Sequence, residues 1–478
     1  MKSALYVTTS IPYVNAEPHI GFALELVQAD VIARHARLVG RTVRFQTGTD
    51  ENAFKNVLAA EQLGLSTQAL VSRNAGRFLE LTRALNISAD DFIRTTEQRH
   101  RQGVNAFWDA LAGRDVLNHD YVGLYCAGCE DFYQERDLSD GKCPDHGVPP
   151  VEVTERNYFF QLQNHQGWLE VLLGSGKLEV IPETRRNEVL AFVRRGLTEF
   201  SISRAAERTK GWGTSVPNDE YQIVYVWVDA LINYLSGLGY GSGEQWREWW
   251  SPDVEKIHVI GKNVWKFHAI YWPALLRSAR LPLPDKIVVH GFVTANGKKI
   301  GKSLGNAIDP FGVIKRYGTD PVRYYLLRAI PPFGDGDFSL TRLNDLHRSD
   351  LANGLGNLVS RLASLGAKVG RTSTPPAEPP APPEAFSTAV RAFKFDNALE
   401  ILWQVVGVLN QEIERHRPWE LSGHAGTDKL HVLLTRWLTQ LWTLTTWLQP
   451  FLPETCKGIV ARLYSGPIQR ATPLFPRL

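Results

Sequence analysis

The sequence predicts an α/β protein in which a parallel-sheet domain is split by a cysteine-containing insertion and followed by an all-helical segment. Three observations carry this prediction. Strand-like apolar runs alternate with amphipathic helical patterns over the first hundred or so residues, and such runs resume only after about residue 220. Between them lies a tight cluster of three cysteines and a histidine. Beyond about residue 340 the apolar spacing becomes helical and stays so.

Leu5 to Thr9 reads as a buried strand, and from Gly21 a helical pattern runs through Leu24, Val27 and Val31. His19 to Phe22 therefore sit at a strand-to-helix junction, where backbone N–H groups and a positive dipole end face an incoming anion. Gly21, lacking Cβ, lets a ligand approach the backbone closely. Thr42 to Thr47 is a second strand-like run, and the alternation continues to about Gly113.

The insertion holds Cys126-Ala127-Gly128-Cys129 and Cys143-Pro144-Asp145-His146. Thiolates and an imidazole at this spacing fit one closed, tetrahedral structural zinc. A disulfide framework suits the odd cysteine number of the cluster poorly, and a redox CxxC leaves Cys143 and His146 unexplained. Cys456 reads as a buried apolar residue. Mixed, loop-rich sequence continues to about Glu220, and strand-like runs return at Ile223 to Val228, His258 to Ile260 and Lys286 to Val289. Lys299 and Lys302 follow on a glycine-rich loop, with Asn296-Gly297 before it, Gly301 within and Gly305 after, where two ammonium groups can close over phosphate charge.

In the helical segment Leu351, Leu355, Leu358, Leu362 and Leu365 mark one apolar face. The proline-rich stretch Pro375 to Pro383 reads either as an interdomain linker or as a stiff loop inside one bundle, and the similar helices on both sides favour the loop. The expected organisation is 1–115 and 223–345 as two halves of one sheet domain, 116–222 as the insertion, and 346–478 as the helical domain.

Composition agrees with a large globular enzyme. The 478 residues are 44% hydrophobic and 22% charged, and a net charge of +3 is too small for the field of the whole protein to hold a polyanion, so a phosphate-rich partner needs a local patch. The N-terminal residues lack the apolar run of a signal peptide, and no stretch of about 20 apolar residues occurs, which predicts a cytoplasmic protein without a membrane span.

Pro18-His19-Ile20-Gly21-Phe22 and Lys298-Lys299-Ile300-Gly301-Lys302-Ser303 resemble the HIGH and KMSKS motifs of class I aminoacyl-tRNA synthetases. Adding Ser10-Ile11-Pro12-Tyr13-Val14-Asn15, Gly48-Thr49-Asp50-Glu51, Tyr225-Val226-Trp227-Val228-Asp229-Ala230, Ile260-Gly261-Lys262, Phe267-His268 and Ser303-Leu304-Gly305-Asn306, the chain resembles the methionyl-tRNA synthetases over essentially its whole length. The resemblance implies a Rossmann-like catalytic domain and an anticodon-binding helical bundle. It implies ATP with Mg²⁺, L-methionine and tRNA(Met) as ligands, with His19, Gly21, Lys299 and Lys302 catalytic. ATP would also meet Phe22, Asn263 and Ser303. Methionine would be held by Ile11, Tyr13, Asp50, Trp227, Ala230, Leu231, Tyr234, Val264 and His268. Asn357, Arg361 and Trp419 match the anticodon-reading positions, an exposed Trp stacking a splayed base being a common mode of single-strand recognition. For each aromatic the plainer reading is core packing. The chain ends soon after Pro473-Leu474-Phe475-Pro476, without the C-terminal module some family members use to dimerise, so a monomer is expected.

The departures are specific. Phe22 replaces the second histidine of HIGH, Ile300 and Gly301 replace the Met and Ser of KMSKS, Asn263 stands where the family has Asp, and Leu231 and Val264 alter the pocket wall. Two other classes remain open from sequence: a ligase adenylating for a small-molecule acceptor, and a non-catalytic tRNA-binding paralogue.

Overall fold

Six hydrogen-bonded strands organise the computed structural model, which describes residues 2–111, 113–126, 131–133, 135, 138–144, 147–295, 297–300, 307–376, 381–468 and 472–476. In chain order they are β1 (Ala4–Thr9), β2 (Thr42–Thr49), β3 (Asp91–Arg94), β7 (Glu179–Ile181), β12 (Val254–Gly261) and β13 (Lys286–His290). Their order across the sheet is β3-β2-β1-β12-β13-β7. β1 pairs in parallel with both β2 and β12, β2 with β3, and β13 with β7. Leu5 through Thr9 are all buried, which is why β1 reads as an unbroken apolar run rather than an alternating one. At Gly48 in β2 a Cβ would stand 2.1 Å from the carbonyl oxygen of Ile93, so only glycine lets β2 and β3 approach this closely.

The insertion is more regular than its sequence suggests. β4 (Val116–Cys126) and β6 (Val151–Phe160) form a long antiparallel ladder from Val116↔Phe160 to Tyr125↔Val151, flanked by β5 (Asp131–Tyr133) and β8 (Phe200–Ser201). β4 buries little beyond its last two residues, so it carries no alternation to read. Helices Gln166–Gly174 and Glu183–Arg194 follow, and β7 between them joins the six-stranded sheet. β9 (Ser203–Ala205), β10 (Ser215–Val216) and β11 (Asp219–Val224) make a small antiparallel sheet.

One expected strand is corrected. Ile223 to Val228 is strand only to Val224, after which Val226–Leu231 is helical, opened by the bonds of Val228 and Asp229 N–H to Tyr225 C=O. The β-branched and aromatic side chains favour a strand, but Val226, Val228, Asp229, Ala230 and Leu231 are all buried, and that burial overrides local propensity.

The chain divides into two compact units: Met1–Pro18, Arg41–Glu80 and Ala89–Val289 form one, and His19–Gly40, Leu81–Ser88 and His290–Leu478 the other. The first holds the six-stranded sheet and the insertion. The second holds α1 (Ile20–Leu38), a small sheet of β14 (Val293–Ala295), β15 (Lys298–Lys299) and β16 (Gly336–Asp337), and the helical tail, whose main helices are Asn357–Lys368, Phe395–His416, Gly423–Leu448 and Pro453–Leu463. Leu351, Leu355, Leu358, Leu362 and Leu365 are buried as their spacing predicts. Both flanks of the proline-rich stretch lie in this second unit, in keeping with a loop; its residues 377–380 are outside the described ones. Among the described residues no helix is long and apolar enough to cross a membrane.

Within the second unit a buried ion pair fixes α1. Arg323 and Asp30 are both fully buried, 2.7 Å apart. The guanidinium also donates to the carbonyls of Phe451 and Pro450 at 2.9 Å and of Leu85 at 3.0 Å. Asp30 accepts from Arg34 Nε and from Ser88 N–H, both at 2.7 Å. Removing one member of such a pair strands a buried charge, a loss of about 3–5 kcal/mol. Arg323→Met is therefore expected to lower unfolding stability by that amount, and urea titration showing a loss below about 1 kcal/mol would mean Asp30 is compensated without Arg323.

Candidate active site

In the first unit polar and aromatic side chains gather at the carboxyl end of the sheet. The turn after β1 brings Tyr13 into a bridge with Asp50, whose N–H donates to Pro12 C=O at 2.9 Å. Asp50 is fully buried, and its Oδ1 accepts from the Asn52 N–H at 3.2 Å. Ile11 packs with Ile93 and Ala230 in a small apolar cluster. The Trp227 ring lies 5.6 Å from Tyr13 and stacks on Phe267 at 4.1 Å and 8°. Ala230, Leu231, Tyr234, Val264 and His268 are buried. Core packing and pocket lining are thus compatible readings for Tyr234, whereas Trp227 is only partly covered.

The charge state of this pocket follows from its hydrogen bonds. His268 Nδ1 lies 2.9 Å from the carbonyl of Val264, which can only accept, so Nδ1 carries the proton. Nε2 then accepts from the Tyr234 hydroxyl at 2.7 Å. The ring is neutral, and burial pushes its pKa down to about 4. Behind it the Tyr234 ring stacks at 4.0 Å on His258, whose pKa is held well below the usual range by burial and by the neighbouring His268.

The second unit holds the other half of the candidate set. His19 caps α1: its Nδ1 accepts from the Gly21 N–H at 3.1 Å, leaving Nε2 as the proton-bearing nitrogen of the neutral ring. The helix therefore begins at Ile20, one residue before the expected start. A Cβ on Gly21 would stand 2.9 Å from the His19 ring, so glycine is required by the cap itself as well as by any close ligand. Phe22, in place of a second histidine, packs its ring 4.4 Å from His19. Lys298 and Lys299 form β15, paired with Ala295 and Thr294 across a turn in which Gly297 has φ 70°. The side chain of Lys299 and all of Lys302 and Ser303 lie outside the described residues. Asn263, in the first unit, is exposed in the turn after β12.

Cys126, at the end of β4, and Cys143 are buried and in no disulfide, and Cys143 Sγ lies 3.7 Å from the Tyr133 hydroxyl. Cys129 and His146 lie outside the described residues, among which no group of three or more metal-ligating side chains is gathered. In the helical tail Trp419 is 45% exposed, which removes the core reading for it. Arg417 adopts a left-handed conformation at the end of helix Phe395–His416, Pro418 is buried, and Trp419 follows on the surface. The Arg361 guanidinium lies 5.3 Å over its ring and pairs with Glu414 at 2.7 Å, and Asn357 is exposed one turn earlier.

A family model described as tRNA synthetases class I (M) matches residues 5–149 and 137–363. The methionine–tRNA ligase of Thermotoga maritima is 39% identical over 476 residues, covering 96% of this chain and 75% of that protein. The methionine–tRNA ligase of Brucella suis is 38% identical over 481 residues, covering 96% and 91%. The chain belongs to the methionyl-tRNA synthetases. Among solved structures, Mycobacterium tuberculosis methionyl-tRNA synthetase bound by methionyl-adenylate aligns with a TM-score of 0.90 at 35% identity over 99% of this chain and all of that one. The apo form of the same enzyme aligns at 0.83.

Several residues of this cluster carry no clear mark in the sequence. Phe267 supports Trp227, and its place beside His268 in a motif was the only signal. Asn52 bridges Asp50 to a buried Asp229, donating from Nδ2 to Asp229 Oδ2 at 2.9 Å, where His100 Nε2 also sits at 3.2 Å. The buried Arg204 places its guanidinium 3.9 Å from the Tyr225 ring. Apart from the Asn52–Asp50 bond, these contacts join residues about 20 to 180 positions apart, which no local pattern reports.

Unfolded His268 takes up a proton below about pH 6.5, whereas the folded one does so only below about 4. Stability is thus complete above pH 6.5 and falls as pH drops toward 4, by on the order of 3 kcal/mol from this group. His268→Gln, which keeps a polar side chain but cannot titrate, is expected to flatten the slope of stability between pH 7 and 4.5 in urea titrations. An unchanged slope would mean the ring is already charged in the fold.

Proposed function

We propose that the chain is a methionine–tRNA ligase: it joins L-methionine to ATP, releasing pyrophosphate, and transfers the methionyl group from the adenylate to tRNA(Met). The observation that carries this reading is the first-unit pocket, which combines a buried carboxylate, Asp50, with an uncharged aromatic wall whose polar tip is the Tyr234–His268 couple. A carboxylate suits an ammonium group, and neutral aromatic faces suit a polarizable thioether while excluding charged side chains.

In this reading Asp50 pairs with the methionine ammonium and the backbone of Ile11 and Tyr13 aligns it, while Trp227, Ala230, Leu231, Tyr234, Val264 and His268 surround the side chain. The methionine carboxylate oxygen attacks the α-phosphorus, the bond to the β-phosphate oxygen breaks, and pyrophosphate leaves. A terminal adenosine hydroxyl of the tRNA then attacks the carbonyl carbon, its proton is released, and AMP departs. Mg²⁺ bound with ATP supplies neutralisation of phosphate charge. The chain's own part is positioning and charge stabilisation: the capped N-terminus of α1 at His19 and Gly21, with Phe22 bracing the ring, and Asn263, Lys299, Lys302 and Ser303 toward the nucleotide. Residues 1–115 and 223–345 serve as the catalytic domain, 116–222 as the insertion and 346–478 as the anticodon-binding domain. A cytoplasmic monomer is the working arrangement.

Asn357, Arg361 and Trp419 are assigned to the anticodon, supported by the exposed Trp419 ring beneath a guanidinium. Methionine-dependent ATP–pyrophosphate exchange tests activation, and tRNA charging tests the second step. Trp419→Ala is expected to weaken tRNA recognition by about 1–3 kcal/mol through lost base stacking while exchange stays at the parent rate. Equal loss in both assays would make Trp419 a folding residue, and absence of methionine-dependent exchange in the parent chain would overturn the ligase reading.

Cys126, Cys129, Cys143 and His146 are assigned to one structural zinc. The two described members, Cys126 and Cys143, are buried and in no disulfide, which suits thiolate ligation. Elemental analysis is expected to return one zinc per chain, lost in Cys143→Ser together with protease resistance of the insertion. Metal-free protein with an intact insertion would remove the assignment.

A further inference from the structure

Glu25 stands one helical turn after Gly21 on the same side of α1. Its Oε2 lies 2.8 Å from His290 Nε2, and His290 Nδ1 lies 2.7 Å from the carbonyl of Gly291. Both side chains are largely buried. Each ring nitrogen faces an acceptor, so the ring is held between the Glu25 carboxylate and the Gly291 carbonyl. From His290 the chain has little freedom before the twin lysines. A Cβ at Gly291 would stand 2.1 Å from the Gly334 carbonyl, and Phe292 N–H donates to Asp335 at 2.9 Å. β14 is then hydrogen-bonded to both β15 and β16. Asp337 accepts from Thr294 and from the Gly297 N–H, both at 2.8 Å, at the turn just before Lys298. After the loop, Ile308 C=O accepts from the Ile20 N–H at 3.1 Å. Both ends of the loop are therefore fastened to α1, at Glu25 and at Ile20.

We infer that His290 is a positioning residue for the adenylation step: through Glu25 it sets where His19 and Gly21 stand relative to the strand that carries Lys298 and Lys299. The inference rests on the proposed role of these residues at the triphosphate. Catalysis of phosphoryl-group chemistry by positioning is sensitive to shifts of about 1 Å, which cost on the order of 100-fold in rate. Methionine, held by residues of the first unit, has no part in this contact.

The test is steady-state ATP–pyrophosphate exchange of the full chain with His290→Leu, which removes the contact, and His290→Gln, whose amide keeps a donor near the Nε2 position. His290→Leu is expected to lower kcat about 10- to 100-fold and raise the KM for ATP, with the KM for methionine within twofold of the parent. His290→Gln is expected to recover most of the lost rate. Methionine binding followed by tryptophan fluorescence checks that the fold survives. A kcat for His290→Leu within threefold of the parent, a methionine KM that rises in step with that for ATP, lost methionine binding, or a glutamine variant as impaired as the leucine one would each overturn the positioning role. His19→Ala measured alongside separates the two levels of argument. Normal exchange in His19→Ala would remove the triphosphate reading itself, whereas a loss there with His290→Leu unaffected would remove only the inference drawn from Glu25.

Discussion

The reversal of strand order between β1 and β12 is the constraint on which the first unit depends. To the β1 side the sheet continues through β2 and β3, to the β12 side through β13 and β7, so the connections leaving the carboxyl ends of β1 and β12 diverge. A crevice at such a switch point needs no special residues to exist, only the topology. What the residues supply is its chemistry. Ser10 N–H still bonds Val259 C=O across the two strands, and directly beyond it the chain releases Ile11 and Tyr13 toward Asp50 at the end of β2. Gly48 lets β2 lie close to β3 just before that carboxylate.

The pocket shows which electrostatic effect prevails in a dry interior. Asp50 and Asp229 are both fully buried, and each accepts one hydrogen bond from Asn52, Asp50 from its N–H and Asp229 from its Nδ2. The thioether end is treated in the opposite way. At His268 the loss of hydration on burial outweighs the favourable hydrogen bond to the Val264 carbonyl, and the ring is neutral. A neutral ring with its proton committed to Val264 can only accept from Tyr234, so the phenol orientation follows from a backbone carbonyl four residues before the histidine.

Legibility in the sequence tracked the range of the interactions. The glycine at the start of α1, the first strands and the leucine face of residues 351 to 365 are local patterns, and they lie where their spacing indicated. The helix Val226–Leu231 reads as a strand because of its β-branched run, and only the burial of all its residues but Trp227 turns it. The β4–β6 ladder escaped because an exposed hairpin has no apolar face to alternate. Phe267, Arg204, Asn52, Glu25 and His290 were not marked because their meaning lies in partners far along the chain. The resemblance to a family named most of the candidate residues, but it did not say which of them hold each other.

In the second unit α1 is specified by polar contacts along its length. His19 caps its first turn, Glu25 meets His290, Asp30 meets Arg323 and Ser88, Arg34 reaches the Asn86 carbonyl and Arg37 the Ser88 hydroxyl. Apolar packing alone tolerates sliding and rotation with little penalty, since one methyl group serves nearly as well as another. Buried charge pairs do not tolerate it, because a displaced helix leaves each of them unpaired at once. Such pairs add little net stability over well-packed apolar residues of the same size, so their concentration on the helix that presents His19 and Gly21 is better accounted for by the need to fix its register than by the need to hold the fold together.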